Sequence, residues 1–274
     1  MALLQDNINQ VNSDFQNIKK AITETGVIVE DGTPTSELSV KVDEVYKAGK
    51  QAERENFWHN IWYKADGTVR TDFQFMFGNS WDADNFKPIY LEEIIRVTAS
   101  NASGMFKFFN RNGTTKTEPI DLAEFCSHFD FSNTTTTREM FCDARVKNVT
   151  VDLSNSADCT SLFNNGNGGT VDNIHIKITE KCTNLLSAFV SANKLKTIIF
   201  TDDSVIAANI DLKWSPLTKE SIISVINALS AEATGKTLTL KKTAVQAAFG
   251  TDYDSSTEWT TLKNSKSNWT IALS

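Results

Sequence analysis

Apolar and polar residues alternate in three short segments in the middle of the chain, Asn148–Leu153, Asn173–Ile178 and Lys196–Phe200. A period of two places the apolar side chains on one face of a β-strand. The segments begin 25 and 23 residues apart, and spacings of about 20 to 29 residues are typical of stacked repeats built from one strand and a return segment. The pattern therefore predicts a stack of short strands, with an antiparallel meander as the alternative.

A second pattern consists of five pairs in which an apolar residue precedes phenylalanine. The pairs are Met76-Phe77, Met105-Phe106, Met140-Phe141, Leu162-Phe163 and Ala188-Phe189, at spacings of 29, 35, 22 and 26 residues. The last two lie in segments that begin with Cys-Thr, at Cys159 and Cys182, which aligns these segments on their cysteines. The uneven spacing predicts irregular repeats before residue 140. A fourth strand at Asn209–Trp214 starts only 13 residues after the third, which predicts a truncated repeat with Trp214 in the core.

Near the N-terminus, apolar residues follow a heptad pattern with steps of 4, 3, 4, 3 and 4 residues. They are Leu4, Ile8, Val11, Phe15, Ile18 and Ile22. This is the a/d seam of a coiled coil, and isoleucine at its core positions favours three or four strands over two. The pattern therefore predicts a homotrimer. The alternative is a short helix that packs on its own domain.

Gly26 and Pro34 interrupt this pattern, and Thr35 or Ser36 can cap a second helix that runs toward Trp58. Residues 1–63 are thus predicted to form a helical attachment and oligomerisation segment, and residues 64–215 a β-rich repeat domain. Residues 216–274 mix both patterns. They predict a helix after Thr218, short helices near 243–249 and 257–264, and strands at 236–240 and 269–273. Such a segment suits the terminal cap of a repeat stack.

Net charge, apolar content and cysteine spacing disfavour several classes of protein function. The 274 residues carry a net charge of −7, which disfavours nucleic-acid binding because that needs a basic face. The sequence contains no apolar run long enough for a membrane span, and residues 1–6 lack the features of a signal peptide. The four cysteines, at 126, 142, 159 and 182, form no Cys-x-x-Cys pair, so packed thiols are favoured over zinc ligands. Disulfide pairing is left open.

The Cys-Thr-x-Leu segments, the recurring phenylalanine and the strands resemble BspA-type leucine-rich repeats. Asp211–Ser221, with Val225–Leu229, Gly235–Leu240 and Trp269–Leu273, resembles the terminal unit of repeat proteins from tailed-phage and prophage tail modules. The stretch from Ile18–Ile22 to Val40–Asp43, with its boundary at Gly26 and Ser36-Glu37-Leu38, is similar to their attachment segments. The resemblance is best over 140–274, partial over 1–50 and weak over 64–139. It implies an α+β fold with an N-terminal helical coiled-coil segment, a β-rich irregular leucine-rich-repeat-like solenoid and an α/β C-terminal cap.

The candidate chemistry is recognition rather than catalysis, and no enzyme activity, cofactor or metal is predicted. His59, His128 and His175 have no carboxylate or cysteine at ligand spacing. Asp82–Asn85 and Asp202–Ser204 offer oxygens suited to calcium, but turn aspartates are the favoured interpretation. An exposed tryptophan and Asn-rich loops on a rigid scaffold suit a recognition surface. The candidate residues are Trp81, Asn110, Arg111, Asn112, Asn164, Asn165 and Asn167.

These features predict a non-enzymatic virion protein of a phage tail, synthesised in the cytoplasm of the host bacterium, most simply a tail fibre or receptor-binding protein. As a homotrimer it would attach to other tail or baseplate proteins, and its body would bind a glycan or protein on the host surface, with no nucleic-acid partner and no membrane span. Relatives with such repeats include fibre, baseplate and adhesion proteins. The alternatives are a purely structural baseplate or tail-tip subunit, a bacterial repeat-type surface adhesin and, more distantly, a cell-wall hydrolase.

Overall fold

The computed structural model describes residues 2–24, 27, 29, 35–78, 81, 86–88, 97–111 and 118–274. The chain divides into two compact units, Met1–Ala65 and Asp66–Ser274. The predicted mixture of helices and strands is confirmed: the described residues include six α-helices, and their β-sheets are parallel.

The smaller unit contains two helices, α1 (Ala2–Glu24) and α2 (Thr35–Trp62). Of the predicted heptad, Ile22 is buried, whereas Val11 and Ile18 are 59% and 44% exposed. The side chains of Leu4, Ile8 and Phe15 lie outside the described part of the chain. A single chain therefore leaves two core positions of the heptad in solvent. The coiled coil itself needs further copies of the chain and stays a prediction.

In the described part of the larger unit, six short strands and one short helix precede residue 201. They are β1 (Val97–Thr98), β2 (Ile120–Asp121), α3 (Ala123–Ser127), β3 (Phe129–Asp130), β4 (Arg145–Asp152), β5 (Thr170–Lys177) and β6 (Ile198–Phe200). Strands β1 and β3 pair, and a second sheet has the order β2-β4-β5-β6. Every one of these pairs is parallel, so the antiparallel meander is wrong.

The register of the four-stranded sheet shows how many residues separate equivalent positions of successive repeats. Val149 pairs with Ile174, and Ile174 pairs with Ile198, so equivalent residues are 25 and then 24 positions apart. All three side chains are buried on the same face. The alternation predicted for these strands is confirmed from Asn148, Asn173 and Ile198 onward, where every second residue is buried and the residues between are half-buried or exposed.

The C-terminal part of the larger unit mixes helices with a third parallel sheet. Its elements are β7 (Ile210–Leu212), α4 (Lys219–Ala228), β8 (Lys236–Leu240), α5 (Lys242–Phe249), a 3₁₀ turn (Tyr253–Ser255), α6 (Thr257–Asn264) and β9 (Trp269–Leu273). The sheet has the order β7-β8-β9, and the predicted bounds of β8, α6 and β9 are confirmed. Strand β7 does not continue the four-stranded sheet, so its interpretation as a truncated fourth repeat strand was wrong.

The prediction that Trp214 belongs to the core was also wrong, because this residue is 46% exposed. The N–H of Lys213 donates to Asp211 Oδ1 at 3.1 Å. This turn ends the strand at Leu212, so the alternation that would have buried Trp214 stops two residues before it. The side chain is left at the surface beside Lys213, whose Nζ lies 5.9 Å from the indole centre.

Helix α4 covers the open edge of the four-stranded sheet at β6. The Ser221 Oγ accepts the N–H of Ile198 at 3.0 Å, and the Ser224 Oγ accepts the N–H of Phe200 at 2.8 Å. An uncovered edge would present these donors to solvent or to other chains. The sheet therefore ends at β6 because side-chain hydroxyls satisfy the backbone donors that a further strand would have used.

Candidate functional site

Five turn segments of the larger unit stack on one another, and each is termed a rung. The rungs begin at Asp72, Asn101, Thr136, Asp158 and Asn184. In the four rungs that begin with Asp or Asn, the Oδ1 of this residue accepts the backbone N–H two residues later at 3.0 Å. These are Asx turns, which reverse the chain by a local side-chain hydrogen bond. The short side chain at the first position thus starts each of these rungs.

The fourth residue of every rung adopts the left-handed backbone conformation. These residues are Phe75, Gly104, Glu139, Ser161 and Ser187, with φ between 53° and 60°. A non-glycine residue pays about 1–2 kcal/mol for this conformation. The same geometry recurs with four different residue types, so the conformation arises from stacking rather than from local preference.

The sixth residue of every rung is phenylalanine, and its ring stacks on the next. Ring centres of Phe77, Phe106, Phe141, Phe163 and Phe189 are successively 5.4, 5.2, 5.1 and 5.7 Å apart, with planes within 23° of each other. All five rings are buried. The five apolar-Phe pairs singled out in the sequence therefore occupy equivalent places, including the two before residue 140.

The alignment of Cys159 with Cys182, made from the sequence, was wrong by three residues. The N–H of Cys159 donates to the carbonyl of Asn184 at 2.9 Å, so the counterpart of Cys159 is Leu185 and Cys182 precedes the fifth rung. All four cysteines are buried free thiols, as expected for packed residues. Burial raises the pKa of Cys126 and of Cys142 to about 12, which keeps both thiols protonated at neutral pH.

Three backbone hydrogen bonds close each interface between successive rungs. The N–H groups of the second, fourth and sixth residues donate to the first, third and fifth carbonyls of the next rung. Between the fourth and fifth rungs, for example, the donors are Cys159, Ser161 and Phe163, at 2.9, 2.9 and 2.7 Å. The same three bonds occur at all four interfaces of the five rungs.

A sixth segment, Asp211–Ser215, repeats the turn but not the stacking. The Asx turn at Asp211 is present, and Ser215 N–H donates to Leu212 O at 3.0 Å, as at the corresponding position of the other rungs. Between this sixth rung and the fifth, however, the described residues form no backbone hydrogen bond. A cavity of about 400 Å³ lies there, lined among others by Leu186, Ser187, Asp211, Lys213 and Thr239.

The predicted exposure of Trp81 is corrected by its contacts. Its Nε1–H donates to the carbonyl of Met76 at 3.2 Å. Its ring packs edge-on against Phe77 and Phe86, at 5.8 and 5.6 Å between centres. The residue is half-buried, because it covers the phenylalanine stack beside the first rung.

Asn110 is fully buried and does not form a surface, contrary to its place in the predicted set. Its Nδ2 donates to the carbonyl of Glu118 at 3.1 Å, which ties two chain segments together. Arg111 is half-buried, with its guanidinium carbon 5.1 Å from the centre of the Phe108 ring. Asn112 lies outside the described residues.

The loop at 164–170 is fastened to the body of the unit by a buried carboxylate. Asp143 accepts the backbone N–H of Asn167 at 2.7 Å and its Nδ2–H at 2.9 Å. Asn164 Oδ1 accepts the N–H of Gly166 at 2.9 Å, and Asn165 is buried. The structure thus brings Asn164, Asn165 and Asn167 together, but it uses their side chains largely to hold the loop.

The calcium alternatives gain no support from the geometry. Asp203 forms an ion pair with Lys177, and their side-chain hydrogen bond lowers the pKa of Asp203 and raises the pKa of Lys177. Asp82–Asn85 lies outside the described residues. His175 is exposed on the outer face of β5, and His59 stacks on Tyr63 at 4.6 Å. Among the described residues no cluster of three His, Cys, Asp or Glu side chains could hold a metal ion.

Sequence reasoning missed the residues that are in fact exposed on the stack. Phe75, the fourth residue of the first rung, is 53% exposed. Leu186, the third residue of the fifth rung, is 69% exposed. Their positions, two residues before Phe77 and three residues before Phe189, are the signal in the sequence that could have located them. Comparison of the chain with known protein families, curated proteins and solved structures finds no match. None of the described helices is both long and apolar enough to cross a membrane.

Proposed function

We propose that the protein is a virion protein of a tailed phage or phage-like particle, which trimerises through α1 and binds the host cell surface through its larger unit. The observation that carries this proposal is the exposure of Val11 and Ile18. Both are core positions of the heptad, and a helix with an apolar stripe in solvent gains by burying it against other copies of itself.

The energetics of the helix favour such an assembly. Burying one Val or Ile side chain contributes about 1.5–3 kcal/mol, and a trimer buries these positions in all three copies. Asp14 and Lys19 flank the seam with opposite charges, and both are at the spacing at which side chains of neighbouring helices pair across it. The smaller unit is compact on its own, as an attachment segment requires.

The larger unit supplies a scaffold for recognition. We propose that its rungs form a leucine-rich-repeat-like solenoid, for which residues 216–274 act as the cap. The exposed side chains of Phe75, Leu186 and Trp214 offer apolar contacts on this scaffold. Three copies would multiply weak contacts with a glycan or protein on the host surface.

The second candidate, a purely structural baseplate or tail-tip subunit, draws support from the loops. Asn110 and Asn165 are buried, and Asn167 is held by Asp143. Loops whose polar side chains stabilise the unit have fewer groups left for a receptor. This favours a role in which the body contacts other tail proteins.

The first experiment asks whether the chain is a virion component. Particles purified from a lysate of bacteria that carry the gene are analysed by quantitative mass spectrometry. The protein is expected in the particles, with a copy number divisible by three. Its absence from intact particles, with the protein present in the lysate, contradicts the proposal.

The second experiment separates the two candidates. The full chain is expected to have three times its mass of 30.4 kDa in solution, and the Val11→Asp/Ile18→Asp variant to be a monomer. Ser13→Asp, an exposed position on the same helix, is the control and should stay trimeric. Binding to host cells that is lost in the monomer supports receptor recognition. A folded trimer that binds no host cells supports the structural subunit.

A further inference from the structure

We propose that the cavity between the fifth and sixth rungs binds a peptide segment of another protein, which adopts the turn conformation of a rung and takes the place of a missing rung. The inference does not depend on the virion assignment. It rests on the backbone donors of the fifth rung, on the lining of the cavity and on the way in which the earlier rungs satisfy the same donors.

The fifth rung presents three backbone N–H groups that find no acceptor in the described part of the chain. They belong to Leu185, Ser187 and Phe189, whose counterparts donate to the following rung at each of the four earlier interfaces. Leu185 and Phe189 are buried and Ser187 is half-buried. A buried donor without an acceptor is destabilising, because it has given up its hydrogen bond to water without a replacement. A ligand that supplies carbonyl oxygens would recover this free energy.

The spacing of the donors selects a peptide with the conformation of a rung. They occur at every second residue, and a segment folded as a rung presents its first, third and fifth carbonyl oxygens to such donors. Each earlier interface shows this match, since the first, third and fifth carbonyls of one rung accept from the rung before it. A compact anion would instead need donors that converge on one point.

The remaining walls of the cavity suit peptide side chains. Asp211 and Lys213 form an ion pair at 2.9 Å on the side of the sixth rung, and Thr237 and Thr239 of β8 add hydroxyl groups. Leu186, 69% exposed, stands on the opposite side. The volume of about 400 Å³ lies within the range of about 300–1,000 Å³ that is usual for ligand sites.

A peptide with the sequence of the fifth rung can be used to test binding at the cavity. The fifth rung, Asn184–Phe189, already fits the donor edge of the fourth rung, so the synthetic peptide acetyl-Asn-Leu-Leu-Ser-Ala-Phe-amide should fit the equivalent edge of the fifth. Binding to the full chain is measured by calorimetry, and the affected residues are located by amide NMR spectra. We expect saturable binding and shifts of the amides of Leu185, Ser187 and Phe189.

Two matched variants test the location. Thr239→Trp fills the cavity and should weaken binding by about tenfold or more, which corresponds to about 1.4 kcal/mol. Thr260→Trp places the same side chain at an exposed residue of α6 that does not line the cavity, and should leave binding unchanged. Circular dichroism of both variants verifies that the protein is folded.

Several outcomes would overturn the proposal. The folded protein could fail to bind the peptide, the peptide could bind Thr239→Trp as tightly as the original chain, or the shifts could fall outside the fifth rung. A second copy of the chain as the occupant would show as self-association of the Val11→Asp/Ile18→Asp variant that Thr239→Trp abolishes. That result would also overturn the assignment to another protein.

Discussion

The interface between the fourth and fifth rungs and the one between the fifth and sixth join the same kind of turn with opposite results. In the first, the N–H groups of Cys159, Ser161 and Phe163 all donate to the next rung. In the second, the corresponding groups of Leu185, Ser187 and Phe189 have no acceptor among the described residues. A repeated turn is therefore not sufficient to close an interface.

The two interfaces differ because the sixth rung is connected to a different β-sheet from the fourth and fifth rungs. After the fourth and fifth rungs the chain returns through β5 and β6, which pair in parallel with the strand before them. The sixth rung instead begins within β7, whose backbone pairs with β8, while α4 occupies the edge of β6. The sixth rung is thus held by a different sheet, and its distance from the fifth is set by that sheet.

The largest expected effect comes from breaking the closed part of the stack. Phe141 stacks between Phe106 and Phe163, at 5.2 and 5.1 Å. Phe141→Ala should reduce the free energy of unfolding by about 3–5 kcal/mol, because it removes a buried ring and leaves a cavity. Urea unfolding followed by circular dichroism measures this change.

Leu186→Ala is the control for this prediction, because Leu186 is an exposed apolar residue beside the open interface. Its effect should stay within about 0.5 kcal/mol, as for most surface substitutions. Equal destabilisation by the two variants would mean that the phenylalanine stack does not hold the closed interfaces together.

An intermediate effect is expected where α4 replaces a strand at the edge of β6. The double variant Ser221→Ala/Ser224→Ala leaves the backbone N–H groups of Ile198 and Phe200 without their acceptors. Each unsatisfied donor costs about 1–3 kcal/mol when buried, so the melting temperature should fall by several degrees. Ser255→Ala, at an exposed position, should not change it. An unchanged melting temperature for the double variant would contradict the covering role of α4.

The smallest effect should distinguish the Asx turns that begin the fourth and fifth rungs. Asp158 Oδ1 accepts both the N–H and the Oγ1–H of Thr160, at 3.0 and 2.6 Å, whereas Asn184 Oδ1 accepts only the N–H of Leu186. At about 0.5–1.5 kcal/mol for each bond, Asp158→Ala should cost roughly twice as much stability as Asn184→Ala. The urea midpoints of the two variants test this order, and the reverse order would be evidence against it.

The sequence predicted best those elements whose signals are local. Helix α6 and strand β9 have the expected bounds, because Ser256 caps the helix and the strand alternates apolar and polar residues. The rungs were found only through their phenylalanines. Their left-handed residues include Glu139, Ser161 and Ser187, which give no local signal for this conformation because stacking imposes it.

The candidate site was predicted less well, for two physical reasons. Cys159 and Cys182 look alike, but hydrogen bonding between the rungs pairs Cys159 with Leu185, so side-chain similarity indicated the wrong register. Asn110 and Asn165 were expected at the surface because polar residues usually lie there. Both are buried, and Asn110 donates its amide to a backbone carbonyl of another chain segment.

Amide hydrogen exchange of Ser161 and Ser187 in the free protein tests the contrast between the closed and open interfaces most directly. The two residues are chemically identical, half-buried and alike in backbone conformation, with φ of 55° and 57°. Only Ser161 donates to a following rung. We predict that its amide exchanges on the order of a hundredfold more slowly than that of Ser187, because exchange requires the closed interface to open. Equal protection of the two amides would contradict an open interface beyond the fifth rung.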